Sequence, residues 1–318
     1  MKNILLFLTP MLIWGSTWYA IKFQVGSVDP VFSVIYRFGI AGVLMLVVCR
    51  FWGLKLDFNR KEHGFILLQG VLIFGFNYWL IYVSELYLTS GLVGLIFSLL
   101  VFLNIINSRI FLKTPFESRV ILGGLLGLIG TALVFRQDLA GFSFSDSKIL
   151  GVALALSGTY IASLGNITSA RNQKAGIPVI PSNAFGMTYG AAAMLIIALI
   201  AGKTITFESS PSYIGSLLYL SIFGSVIAFG AYLTLIGNIG ASKAAYVSLI
   251  APIIALVIST VFENYQWTGS SFTGAFLILG GNTIALSGRK KRAAMPRNPG
   301  QKVPVDTLKE NLPDKLTK

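Results

Sequence analysis

Arg37 stands inside an apolar run, PVFSVIYRFGIAGVLMLVVCR, seven residues past Pro30. In a helix that starts at the proline, its guanidinium lies ~10 Å from the end. Hydrocarbon at that depth makes an unpaired cation costly, unless pairing, hydration or snorkelling offsets the cost. A second apolar run carries Asn77, Tyr78, Tyr82 and Glu85. The last three stand at i, i+4 and i+7 and share one helix face. They offer a wall of rings and hydroxyls suited to an amphipathic small molecule. With Lys22 and Glu85 near the same membrane boundary, three roles are open for Arg37: a structural ion pair with Glu85 or a snorkelling charge, contact with the carboxylate or other anionic group of a solute, or gating.

Further polar groups sit within apolar runs: Trp14 at the head of WGST, Asn104 and Asn107, Tyr160 and Asn166, and Tyr189. Facing lipid they would be costly, so they either join helices to one another or touch a ligand. Gly15, beside Trp14, reads as a point of close helix approach. Pro252 interrupts the backbone ladder of its run and permits a bend or a hinge. The candidate binding residues are thus Trp14, Arg37, Asn77, Tyr78, Tyr82, Asn104, Tyr160 and Tyr189; Lys22, Glu85 and Pro252 are candidates for coupling or gating. One histidine, His63, and one cysteine, Cys49, exclude a histidine-cluster metal site, a cysteine cage and an intrachain disulfide. No catalytic group, metal or cofactor is expected. The chain also lacks a G-x-x-x-x-G-K-[ST] loop, so uphill work would draw on exchange or an ion gradient.

The elements that position these groups are membrane helices. The chain is 54% hydrophobic and 12% charged, against about 25% charged in soluble domains. Ten apolar runs are expected to span the bilayer: 4–25, 31–50, 64–84, 89–112, 120–135, 149–168, 184–201, 213–233, 241–262 and 269–287. The first continues past any small-x-small cleavage site and reads as a span, not a removed signal. The expected fold is an all-α polytopic membrane protein whose ten transmembrane helices form two five-helix halves, 1–137 and 149–288, joined by a loop at 138–148. Because five is odd, related halves would be inverted copies. Residues 289–318 form a basic tail expected to be disordered. The run TSGLVGLIFSLLVFLNIINSRIFL places Ser90, Gly94, Ser98, Val101, Asn104 and Ser108 on one small, polar side, which suits helix contacts or a solute path. Gly123, Gly124, Gly127 and Gly130 mark close packing, as do Gly280 and Gly281.

Net charge is +13, and the tail alone holds nine Lys or Arg against three acids. Basic residues set between apolar runs fit a cytosolic leaflet better than nucleic acid. An inside N-terminus places Lys2, Arg50, Lys55, Arg60, Lys61, Arg109, Lys113, Arg119, Arg171, Lys174, Lys243 and the tail on the inner side, and Lys22, Arg136, Lys148 and Lys203 outside. Both termini are therefore expected in the cytoplasm, in a multi-pass protein of the cell inner (plasma) membrane.

WGST at 14–17, Arg37, SGLVGLIFSLLVFLN at 90–104 and GASKAAYVSLIAPIIALVISTVFENYQWTG at 240–269, in that order, resemble the EamA-type branch of the drug/metabolite transporter superfamily over residues 4–288. The resemblance implies a bacterial or archaeal inner-membrane protein with two inverted halves around a central cavity, and many members export amino acids or related metabolites. Pro252 and Glu263 match the proline and acid of the second-half pattern, whereas Val101 and Leu112-Lys113 depart from its first-half counterpart. The expected function is a secondary transporter that exports small amino-acid-like or amphipathic metabolites by alternating access, by exchange or proton coupling. A cationic drug efflux carrier and a structural or lipid-scrambling membrane protein are the alternatives. Expected partners are a small-molecule solute and the lipid bilayer, with monomer and homodimer both open.

Overall fold

The computed structural model describes residues 2–24, 26, 28–142, 146–262 and 266–287. Glu263 and the basic tail lie outside the described residues. Ten long helices make up the body: α1 Lys2–Ile21, α2 Pro30–Phe51, α3 Arg60–Ser84, α4 Ser90–Leu112, α5 Ser118–Val134, α6 Asp146–Lys174, α7 Val179–Ile200, α8 Pro211–Ile239, α9 Ala241–Phe262 and α10 Gly269–Leu286. Eight of them are long and apolar enough to cross a membrane; α5, shorter at 17 residues, and α10 are the other two. The expected 138–148 loop takes in the end of a short helix, Arg136–Ala140, and the first residues of α6.

Local sequence explains the starts. Asp29 caps α2 by accepting from the Val31 N–H at 3.0 Å, with Pro30 in the first turn. Asn59 and Glu62 exchange side-chain and backbone bonds of 2.9 and 2.8 Å, a capping box that begins α3 ahead of the expected run at 64–84. Three other boundaries move. Helix α7 starts at Val179 because Pro181 falls in the first turn, where a missing N–H loses no intrahelical bond. Helix α6 runs on to Lys174, and α8 reaches Ile239 before Gly240, at φ 88°, turns the chain. Lys113, at φ 55°, ends α4 in the left-handed region that glycine favours.

Packing follows the small residues. Gly123 and Gly130 of α5 lie so close to α10 that an added Cβ would strike the carbonyls of Gly281 and Gly274. Gly42 of α2 and Gly70 of α3 meet α7 at Thr188 and Gly186, while Gly15 of α1 seats against Ile254 of α9. The expected close approaches at Gly15, Gly123, Gly124, Gly127 and Gly130 are present; Gly281 joins them, whereas Gly280 faces open space. At one end of the bundle, Gln69, Asn172, Ser182 and Asn183 form a buried hydrogen-bonded network across α3, α6 and α7 that also reaches the Phe229 carbonyl of α8.

Both α3 and α8 open into wide π-helical turns at mid-length, Val71–Asn77 and Leu220–Ile227, and each stretch contains Ile-Phe-Gly. Such turns concentrate at functional sites because they re-aim side chains and loosen carbonyls from the ladder. The Gly224 carbonyl is taken by the Trp14 indole N–H at 3.1 Å, and the Ser225 hydroxyl donates back to Leu220 O at 3.0 Å.

Candidate functional site

A cavity of about 100 Å³ opens where α1, α2, α3, α4, α6, α8 and α9 converge, beside both π turns. By volume it has room for several water molecules. Helices α5, α7 and α10 contribute nothing to its wall and serve as the packing frame around it.

Arg37 is the cavity's cation. It is 1% exposed. Its Nε donates to Ser225 Oγ at 3.0 Å and its Nη1 to the Tyr82 hydroxyl at 3.1 Å, while Nη2 is buried without a hydrogen-bond partner. Its guanidinium carbon lies 4.7 Å from the Tyr78 ring centre and 5.3 Å from that of Phe38, cation–π contacts that help to hold a charge out of water. No carboxylate bonds it among the described residues, so the available Arg37 to Glu85 ion pair is not made: hydroxyls and ring faces stabilise the guanidinium instead.

Trp14, Asn77, Tyr78, Tyr82 and Pro252 line the same cavity. The Trp14 ring meets Phe229 and Tyr232 edge-on at 5.0 and 4.9 Å. Asn77 gives its Nδ2 to the Ile73 carbonyl at 3.3 Å and leaves Oδ1 buried and unbonded. Asn104 does not reach the wall: its Nδ2 donates to Ala241 O at 3.1 Å, joining α4 to the start of α9. Tyr160 is not interior, because α6 turns it outward at 46% exposure. Tyr189 bonds the His63 ring at 2.9 Å, stacked on Phe185 away from the cavity wall.

Lys22 is exposed just beyond α1. Glu85 caps the C-terminal end of α3; it is partly buried, and its Oε1 is shut off from water without a partner. Burial pushes this carboxyl up to about 8.

Sequence reading passed over Thr17, Phe97, Ser225, Phe229, Tyr232 and Ser248, which belong to the cavity or to Arg37. A signal was present in the internal correspondence of the chain. One constant sequence interval separates Tyr78 from Phe229, Ile81 from Tyr232, Phe97 from Ser248 and Leu100 from Ala251, and all eight line the cavity.

A second chamber of about 520 Å³ lies one helical turn further along α4, α6 and α8, at the face that carries the 113–117 loop. Between the two chambers the Asn166 Nδ2 donates to the Tyr232 hydroxyl at 3.1 Å, and Ser242 Oγ to Asn104 O at 3.4 Å. At the opposite end, Gln24 Nε2 donates to Tyr213 O and Ser216 Oγ at 2.9 and 2.6 Å, and Lys203 pairs with Asp29 at 2.5 Å. The arrangement can enclose a small solute between two hydrogen-bonded layers.

Known proteins share this architecture. The chain is 28% identical to the uncharacterized transporter YyaM of Bacillus subtilis (strain 168), over 77% of this chain and 81% of that protein. It is 29% identical to the uncharacterized inner membrane transporter YedA of Escherichia coli (strain K12), over 78% and 79% respectively. A crystal structure of another protein has the same fold, with a TM-score of 0.75 at 20% identity, covering 90% of this chain and 96% of that one. The model of the EamA-like transporter family matches twice, over residues 1–136 and 149–287. A chain matched by that model through both halves of its helical body is a polytopic membrane transporter, and it belongs to the EamA-like transporter family.

Proposed function

We propose that this protein is a secondary carrier of the inner membrane that moves small amphipathic metabolites, amino-acid-like ones included, and that Arg37 holds their anionic group. The observation that carries this reading is a guanidinium buried on a cavity wall with an unbonded N–H and no carboxylate partner among the described residues. A bound carboxylate would complete it with a charge-assisted bond. A cationic drug would find no acid on the wall.

Alternating access between two inverted halves is the proposed mechanism. Helix contacts support it: α2 packs on α7 and α5 on α10, each with its counterpart, while the pairs α1–α9 and α3–α6 repeat as α6–α4 and α8–α1. The constant interval between cavity residues agrees with that correspondence. In the described state the Tyr232–Asn166 layer is the thin barrier, and the larger chamber is the vestibule. Both termini are assigned to the cytoplasm from the charge asymmetry. Work against a gradient is assigned to solute exchange or to the proton gradient, with Glu85 the first carboxylate to test.

Solute flux into proteoliposomes tests the reading. Arg37→Ala should reduce flux of an anionic or zwitterionic solute by about 10- to 100-fold, the value of one charge-assisted bond, with protein level unchanged. Arg37→Lys separates a point charge, which leaves partial flux, from a planar fork, which leaves none. A folded Arg37→Ala protein with normal flux would remove Arg37 from the binding role.

A further inference from the structure

We propose that the cavity selects net-monoanionic acids with an aromatic or branched apolar body over zwitterionic amino acids of the same shape; this rests on the reading of Arg37 as the partner of the solute's anionic group. The cavity wall carries one charge. Arg37 supplies it, and among the described residues the lining holds no Asp, no Glu and no second cation. The guanidinium is bonded only to neutral hydroxyls, through Nε and Nη1, and its Nη2 is buried with nothing to donate to. A carboxylate provides both what the charge lacks and what the N–H lacks.

Charge balance then separates one class of acid from the other. A monoanion leaves the occupied cavity neutral. A zwitterion leaves the cavity's charge where it was, and brings an ammonium, on the carbon next to the carboxylate, into the same poorly screened space as the guanidinium. That ammonium would meet no carboxylate on the wall, and the Tyr78 ring already lies against Arg37 at 4.7 Å. Most of the rest of the wall is apolar or aromatic, with Ile81, Phe97, Leu100 and Phe229 facing the space, and its other polar groups, Thr17, Asn166 and Ser248 among them, are neutral. The unbonded Oδ1 of Asn77 is a neutral acceptor, suited to a hydroxyl or N–H on the body of the acid and too weak to replace a counterion.

The test is equilibrium binding to the full chain in nanodiscs with three probes that share a ring and chain length: hydrocinnamate, L-phenylalanine and phenethylamine. Hydrocinnamate should bind about tenfold or more tighter than phenylalanine, and phenethylamine should not bind. Arg37→Met should abolish hydrocinnamate binding. Asn77→Asp places a carboxylate on the wall with almost no change of shape, and should shift the hydrocinnamate to phenylalanine ratio toward phenylalanine by about tenfold; this arm holds even if Arg37→Met does not fold. Phenylalanine binding as tightly as hydrocinnamate, with both lost in Arg37→Met, would overturn the selectivity and leave Arg37 as the anion partner. Hydrocinnamate binding that survives Arg37→Met would remove both readings. Absence of binding by every probe, or tightest binding by phenethylamine, also overturns the proposal.

Discussion

Arg37 shows how a buried cation is kept in an apolar interior without a counterion: two hydroxyls and two ring faces replace the water it lost, and one N–H is left unbonded. Glu85 is the complementary case. Its carboxyl is raised to about 8 by burial, so at neutral pH it holds a proton that an unfolded chain would release. The folded state therefore binds more protons than the unfolded one between the ordinary glutamate range and about 8. The sign follows: Glu85 favours the fold fully at low pH, and that contribution is lost as pH rises through its folded value. The thermal midpoint of the purified protein should fall as pH rises from about 5 to about 8 and level off above that, and Glu85→Gln should flatten this fall. Equal slopes for the two proteins would show that the carboxyl is hydrated and titrates as an ordinary glutamate. If Glu85 also couples transport, the same substitution should abolish acceleration of flux by an imposed pH gradient while leaving counterflow exchange intact.

At the scale of the helices, two devices do different work. Glycines set how closely helices pack. Each Cβ added at Gly130 or Gly274 would fall on a backbone carbonyl of the other helix, and a carbonyl cannot rotate away as a long side chain can. Gly130→Val should therefore force α5 and α10 apart and cost about 1–3 kcal/mol as overpacking does in dense cores, lowering the thermal midpoint in detergent. An unchanged midpoint would mean that these helices slide without loss. The π turns determine where side chains point. By widening α8 over Leu220–Ile227, the chain frees the Gly224 carbonyl for Trp14 and brings Ser225 to Arg37. Gly224 is tight there: a Cβ would sit 3.1 Å from Arg37 Nη2 and 3.1 Å from Thr17. Gly224→Ala should accordingly impair binding of an anionic solute more than it impairs folding, read as a weaker affinity at nearly constant thermal midpoint.

For the whole molecule, the helices alternate in direction, so the loops divide between two faces. One face carries 113–117 and the Lys243–Glu117 pair, and the other carries the Lys203–Asp29 pair. In the orientation proposed from the charge asymmetry, the first face is the cytoplasmic one. Single cysteines in a Cys49-free background should label from the cytoplasm at 55–62 and 171–176, and from outside at 139–142 and 204–210. Labelling from outside at 55–62 would reverse the protein. In the described state a cysteine at Ser242, which lines the larger chamber, should react from the cytoplasmic side faster than one at Ser248, which lines the inner cavity behind the Tyr232–Asn166 layer. Bound solute should slow Ser248 labelling further.

The amino-acid sequence by itself determined the membrane class, the ten helices and several residues of the cavity wall. Hydrocarbon demands long apolar runs, and such runs are countable. Arg37, Asn77, Tyr78 and Tyr82 were legible because a charge or a hydroxyl in an apolar run is expensive anywhere except inside. Which way a residue faces was less legible: lipid is as apolar as a helix contact, so periodicity does not separate the two surfaces. Tyr160, outward at 46% exposure, is the result. Only tertiary structure decided that Arg37 would bond Ser225, distant in the chain, and not Glu85, which lies closer in sequence. That choice depends on a widened turn in α8 and on how near α1 and α2 approach it. These are packing facts, carried by glycines whose neighbours no local pattern names.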